Sequence, residues 1–169
     1  MLLALVGCGS GASTGDGAGG SPSGGGFVAA IEPKDACALL DSSDFSGVVP
    51  GAVQGDSNET TTEDAFSVGC GWSNGDRKVS LIVLGARREA ALTSIVGAEP
   101  GANRGSWMAV PGLGDAAGYF ASATLPYCGV VADWHSYSVE VSASSAQPMS
   151  PLPAETFVPL VRKVLGQLQ

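Results

Sequence analysis

Positive charge is scarce in this chain of 169 residues: 8 Lys and Arg stand against 16 Asp and Glu, for a formal net charge of -8. Such a chain has no surplus of cations to exchange for the counterions of a phosphate backbone, so nucleic acid is excluded as the expected partner. Long apolar runs are missing too. The nearest one, MLLALVG at residues 1–7, falls far short of the roughly 20 apolar residues that cross a bilayer as a helix. Histidine occurs once, at His135, and the four cysteines include no C-x-x-C pair. Acid–base catalysis and zinc sites built on paired cysteines therefore have little to draw on, and no catalytic residue, metal or cofactor is expected.

What is present begins with an address. Leu5-Val6-Gly7-Cys8 fits a bacterial lipobox, in which cleavage leaves Cys8 at the N-terminus to be acylated. Two or three acyl chains, at about 0.8 kcal/mol per buried methylene, hold a protein on a bilayer where one chain does so only marginally. The expected partner is thus a membrane, reached through lipid on Cys8. Only seven residues precede Cys8 and none is charged, less than the basic n-region and apolar stretch of a secretory signal, so a fuller leader is expected upstream. Residues 9–26, GSGASTGDGAGGSPSGGG, have glycine at nine of eighteen positions and no large apolar side chain. Such a segment cannot bury enough surface to offset its ordering entropy, and as a coil it spans on the order of 25 Å. Gly11–Gly15 matches a nucleophile elbow and Gly15–Gly20 a dinucleotide fingerprint, but neither follows a strand or opens a helix, as that chemistry requires. The expected organisation is residues 1–8 as signal remnant, 9–26 as linker and 27–169 as one globular domain.

Pro33 suits a first helical turn, and Ala36, Leu39 and Leu40 share one helical face. A second short turn is predicted from Asp41 or Ser42, with Asp44 in its first turn, stopped by Pro50-Gly51. The polar text of residues 51–64 reads as a surface loop. Phe66, Val68, Cys70 and Trp72 alternate with small or polar residues, Asn74-Gly75 is a hairpin signal, and KVSLIVLG at residues 78–85 returns as a more apolar strand. A helix is predicted from about Arg87 to Val96, ended by Gly97. Strands follow at 106–110, 116–122 and 127–133, and at 136–143, where Tyr137, Val139 and Val141 face in while Ser138, Glu140 and Ser142 face out. Phe157, Leu160, Val161, Val164, Leu165 and Leu168 form the stripe of a closing helix, with Pro159 in its first turn. These elements predict an α+β fold, an antiparallel sheet with helices packed on one face.

Few side chains offer chemistry. His135 in DWHSY reads as the turn of a hairpin; the alternative is a dyad or a two-ligand metal site with Asp133, which lacks further ligands. Trp107, Tyr119 and Trp134 are candidate lining residues of a ligand pocket, against core packing as the plainer role. VPGLGDAAG at residues 110–118 is a glycine-rich loop turning at Pro111-Gly112. With Cys8 acylated, Cys37, Cys70 and Cys128 leave one thiol over outside the cytoplasm. Loop closure favours a 37–70 bridge by about 3.8 kcal/mol and a 37–128 bridge by about 4.6 kcal/mol, too close to choose.

Asp35-Ala36-Cys37-Ala38-Leu39-Leu40, then Cys70-Gly71-Trp72, then Gly112-Leu113-Gly114-Asp115-Ala116-Ala117 and a terminal amphipathic helix resemble an uncharacterised domain of actinobacterial lipoproteins. That domain opens with D-P-C-x-L-L and has a later C-x-W; here Ala36 stands where the pattern has proline. The resemblance spans most of residues 31–168. It implies an exported, lipid-anchored domain with a disulfide between Cys37 and Cys70, and it implies no reaction. Cys128 is then expected as a buried free thiol on the face of Val130 and Ala132.

The expected function is a non-enzymatic binding or accessory lipoprotein at the extracytoplasmic face of the cell membrane, engaging a small apolar ligand, an envelope component or a protein. A sensor or scaffold for a membrane protein is the alternative, and an atypical hydrolase using His135 is the remote one.

Overall fold

The computed structural model describes residues 26–122 and 124–169. Cys8 and the linker through residue 25 lie outside the described residues. Eight strands form one antiparallel sheet: β1 (Val53–Gln54), β2 (Asn58–Thr61), β3 (Ala65–Asn74), β4 (Arg77–Ala86), β5 (Ser106–Ala109), β6 (Ala116–Ala121), β7 (Tyr127–Trp134) and β8 (Tyr137–Ser145). The spatial order is β1-β3-β4-β8-β7-β6-β5, with β2 also paired to β3. Two α-helices, α1 (Glu89–Ile95) and α2 (Val158–Gln167), and four short 3-10 turns complete the described chain.

The strong local signals fold as their chemistry dictates. Asn74-Gly75 closes the β3–β4 hairpin, with Gly75 at φ 57°, a conformation that costs glycine nothing. Asp44 takes the backbone N–H of Asp41 at 2.7 Å, completing a capping box on the 3-10 turn Ser42–Phe45. Pro159 falls in the first turn of α2, where its missing N–H leaves no bond unmade. The predicted helix near Ala36 is shorter than expected: it is a single 3-10 turn, Ala36–Ala38, with Asp35 accepting from Cys37 N at 2.8 Å.

Strict alternation divides the sheet into two faces. Val68, Cys70 and Trp72 of β3, Val79, Leu81 and Val83 of β4, Val139 and Val141 of β8, and Cys128, Val130 and Ala132 of β7 share one face and form the core. That face is covered by α2, through Phe157, Leu160, Val161, Val164 and Leu165, and by Leu39, Leu40, Phe45 and Val49 of the N-terminal turns. The cover is tied down by polar contacts at its rim: Lys163 Nζ lies 2.6 Å from Asp44 Oδ2, and Gln167 Nε2 donates to Leu39 O at 2.9 Å. The Cys37–Cys70 disulfide, with Cα atoms 5.1 Å apart, staples the first turn to β3. Cys128 is a free, buried thiol on the face of Val130 and Ala132, as expected.

Two expectations are corrected. Residues 51–64 hold the short strands β1 and β2, both paired with β3. Every residue of these strands is exposed, so no buried face imposed an alternation that a sequence could display. Ser138, Glu140 and Ser142 do not face solvent; all three are buried on the second face of the sheet. α2 lies on the core face, whereas the chain from Thr93 to Arg104, beginning in the last turns of α1, lines a cleft over Leu84, Val131 and Ser138 on the second face.

Candidate functional site

The second face carries the chemistry. After α1 the chain turns at Pro100-Gly101, where Gly101 takes φ 80° and lies so near Phe120 and Val131 that a Cβ there would stand 3.0 Å from the Phe120 ring. The 3-10 turn Ala102–Arg104 follows. Trp107 Nε1 donates to Pro100 O at 2.8 Å and holds this roof to β5. Gly118 makes the contact possible, since a Cβ on it would overlap both the indole nitrogen and the Pro100 carbonyl.

Beneath the roof lies a polar network. Arg104 extends over the Phe120 ring, 5.9 Å from its centroid, and its Nη2 lies 2.7 Å from Glu140 Oε2. Oε2 therefore has the charge of Arg104 beside it, without a hydrogen bond formed to it. Tyr127 donates its hydroxyl proton to the other oxygen, Glu140 Oε1. Burial, followed by that hydrogen bond and the nearby carboxylate charge, pushes the Tyr127 phenol up to about 12. It stays a donor at any physiological pH.

Asp133 is the second buried acid of this face, 1 % exposed. Its Oδ2 accepts the Gly97 N–H at 2.8 Å, joining β7 to the loop that follows α1. Its Oδ1 is buried without a well-aligned hydrogen bond, and the hydroxyl of Ser138, its partner across the β7–β8 pair, lies beside the carboxyl. Burial raises the carboxyl above its ordinary value, opposed by the Ser138 hydroxyl and the Gly97 N–H and reinforced by the charge of Asp115. Leaving a buried acceptor unmade costs about 1–3 kcal/mol, more for a charged group. Asp133 borders a cleft of about 310 Å³ of mixed lining, with Leu84, Val96 and Val131 beside Thr93, Asn103, Arg104 and Ser138. A small concave site that combines apolar walls with several polar groups has the form of a small-molecule site. Wider apolar hollows beside Met108 and Val158, about 430 Å³, and beside Phe27 and Leu92, about 480 Å³, contain no buried charged group.

The residues singled out in the sequence are distributed differently. Trp107 faces the roof just described, whereas Tyr119 lies on the core face and gives its hydroxyl proton to Leu152 O at 2.8 Å. Trp134 packs at the edge of the core, stacked on Tyr137 at 6.0 Å. The three aromatics do not converge on one pocket, because register sets Trp107 opposite Phe120 and Tyr119 opposite Val130. His135 is in the β7–β8 turn at φ 53°, with its N–H donating to Asp115 Oδ2 at 2.5 Å and its Nδ1 3.6 Å from the same carboxylate. Asp133 is turned away from it, toward Gly97, so the imagined dyad is not assembled. Cys128 Sγ accepts from Leu152 N at 3.3 Å, and burial pushes its thiol up. Among the described residues, no three His, Cys, Asp or Glu side chains gather as a metal site.

Asp133 had a signal in the sequence, as the one acid closing the apolar run YCGVVAD. Its link to Gly97 had none, because the two meet only through tertiary packing. No family model matches the chain, and no curated protein or solved structure matches it.

Proposed function

We propose that this chain is a lipid-anchored extracytoplasmic module that binds a small ligand in the cleft over the second face of the sheet, without transforming it. The observation that carries the reading is the cleft itself, a concavity of about 310 Å³ in which apolar and polar side chains of residues 93–104 meet Leu84, Val131, Asp133 and Ser138 of the sheet. Export is supported by the Cys37–Cys70 disulfide, since such bonds persist in oxidising compartments, and by the lipobox at Cys8. The sensor or scaffold alternative calls for an exposed apolar patch without a cavity, and the cleft favours a ligand. The hydrolase alternative finds little support at His135, where no hydroxyl or thiol hydrogen-bonds the ring among the described residues.

The anchor is tested on full-length product purified from native membranes. Mass spectrometry is expected to find diacyl or triacyl Cys8 and an oxidised Cys37–Cys70 pair, and detergent phase separation is expected to place the protein in the detergent phase. Cys8→Ala should move it to the aqueous phase. Aqueous partition of the unaltered protein would overturn the anchored reading.

A further inference from the structure

We propose that the end of the sheet where the chain enters the domain is a lipid-facing surface, on which Phe27, Val28, Ile31 and Leu92 rest the folded domain against the bilayer that carries Cys8. The proposal rests on the lipid-anchor reading and is independent of the cleft over the second face.

Three pieces of chain meet at that end. Ala30 N–H donates to Ala86 O at 2.8 Å, and Ala86 N–H to Ser136 O at 2.8 Å, so residues 27–31 lie against the end of β4 and the β7–β8 turn. α1, which follows β4, adds Leu92. Phe27, Val28, Leu92, His135 and Ser136 border an open, mainly apolar hollow of about 480 Å³, with no Asp, Glu, Lys or Arg in its lining. Val28 is 72 % exposed and Ile31 79 %, the highest among the large apolar side chains left at the surface of the described residues. Attachment to a lipid surface scales with the apolar area it buries. The chain itself argues for lipid as the occupant: Gly26 borders the hollow, and residues 9–25, which join it to Cys8, hold no large apolar side chain. As a coil that length bridges on the order of 25 Å, so lipid on Cys8 keeps the bilayer near this end at high effective concentration. Phe27 and Val28 are the first large apolar side chains after the anchor. The other end of the sheet is remote from it. Val53 is paired with Ser73, and Leu125 shortly precedes Tyr127, which is paired with Ser144; Ser73 and Ser144 both lie opposite Lys78. Between Arg77 and Ala86, β4 spans about 30 Å.

The test couples Cys8 of the full chain to a maleimide lipid in phosphatidylcholine nanodiscs, which supplies the anchor whether or not the cell does. Cys37 and Cys70 are joined and Cys128 is buried, which directs the reagent to Cys8. Phosphatidylcholine is the probe because the net charge of -8 opposes contact with an anionic surface. Amide NMR signals are read with and without a spin-labelled lipid. Broadening is expected at Val28, Ile31, Leu92 and Ser136, fading along β4 from Ala86 to Arg77 and absent at Val53 and Leu125. Val28→Asp, at a side chain already 72 % exposed, should leave the fold intact and weaken docking about tenfold, since a carboxylate replaces apolar surface that would leave water. Even broadening of both ends, broadening centred on Val53 or Leu125, none at all, or no change in Val28→Asp would each overturn the proposal. Shifts at Val28 and Leu92 that grow with protein concentration before any nanodisc is added would give the surface to a second copy and overturn it likewise. Native acylation is decided separately, by detergent partition and mass spectrometry of Cys8, so the two failures are distinguishable.

Discussion

Along β8, Val139 and Val141 point to one face and Ser138, Glu140 and Ser142 to the other, and all five are buried. Under α2 the burial is apolar, and the groups of the core need no partner beyond close packing. The exception there is Trp72 Nε1, a buried donor without an acceptor. Under residues 93–104 the burial is polar. Glu140 has Arg104 and Tyr127 beside it, Asp133 has the Gly97 N–H and the Ser138 hydroxyl, and each acid keeps one oxygen without a well-aligned hydrogen bond. One sheet thus carries two kinds of burial: dispersion and water exclusion hold the first face, while the second holds charged groups that depend on particular polar neighbours.

That contrast can be broken from either side. The largest effect is expected on the apolar face, where Phe157 is fully buried. Phe157→Ala should cost about 3–5 kcal/mol in chemical denaturation, and a loss below 1 kcal/mol, on the order of a surface change, would show that α2 is not the cover the core depends on. Arg104→Ala should cost less, about 1–3 kcal/mol, because Glu140 would stay buried while Arg104 itself is partly exposed and screened. Adding Glu140→Gln to that variant should recover part of the loss. A purely additive double variant would mean that the pair is not coupled.

The smallest effect is one of pH. The Asp133 carboxyl is raised in the folded chain above the ordinary 3.8, so the folded state holds its proton more tightly than the unfolded state does. Stability contributed at this site is therefore full below the ordinary value and falls as pH rises from there through the raised folded value. Asp133→Asn, which does not titrate, should flatten that part of the profile when denaturation midpoints are compared across acidic and neutral pH. A variant profile parallel to that of the unaltered protein would remove Asp133 as its source.

Much of the fold was legible in the chain. Phe66 to Trp72 and Tyr137 to Val141 alternate because one side of each strand meets the core, and Asn74-Gly75 marks a turn through its own backbone preference. The stripe from Phe157 to Leu165 was readable for the same reason. β1 and β2 were not readable as strands, since both of their sides meet water and pairing with β3 alone makes them. Of the candidate site residues, Cys37 and Cys70 were paired by resemblance and are joined here, while Trp107 was drawn away from Tyr119 and Trp134 by strand register.

By itself, then, the sequence determined which segments alternate, which turn, which residues cap, and that Cys128 shares a face with Val130. Only the tertiary structure decided that the polar side of β8 is covered. Ser138, Glu140 and Ser142 show the same period of two whether water or protein lies above them, so no local pattern distinguishes a solvated polar face from a buried one. The meeting of Gly97 with Asp133 and of Arg104 with Glu140 across 36 residues in each case depends on where the roof folds back, and that is fixed by packing on Phe120 and Val131, which no local preference encodes.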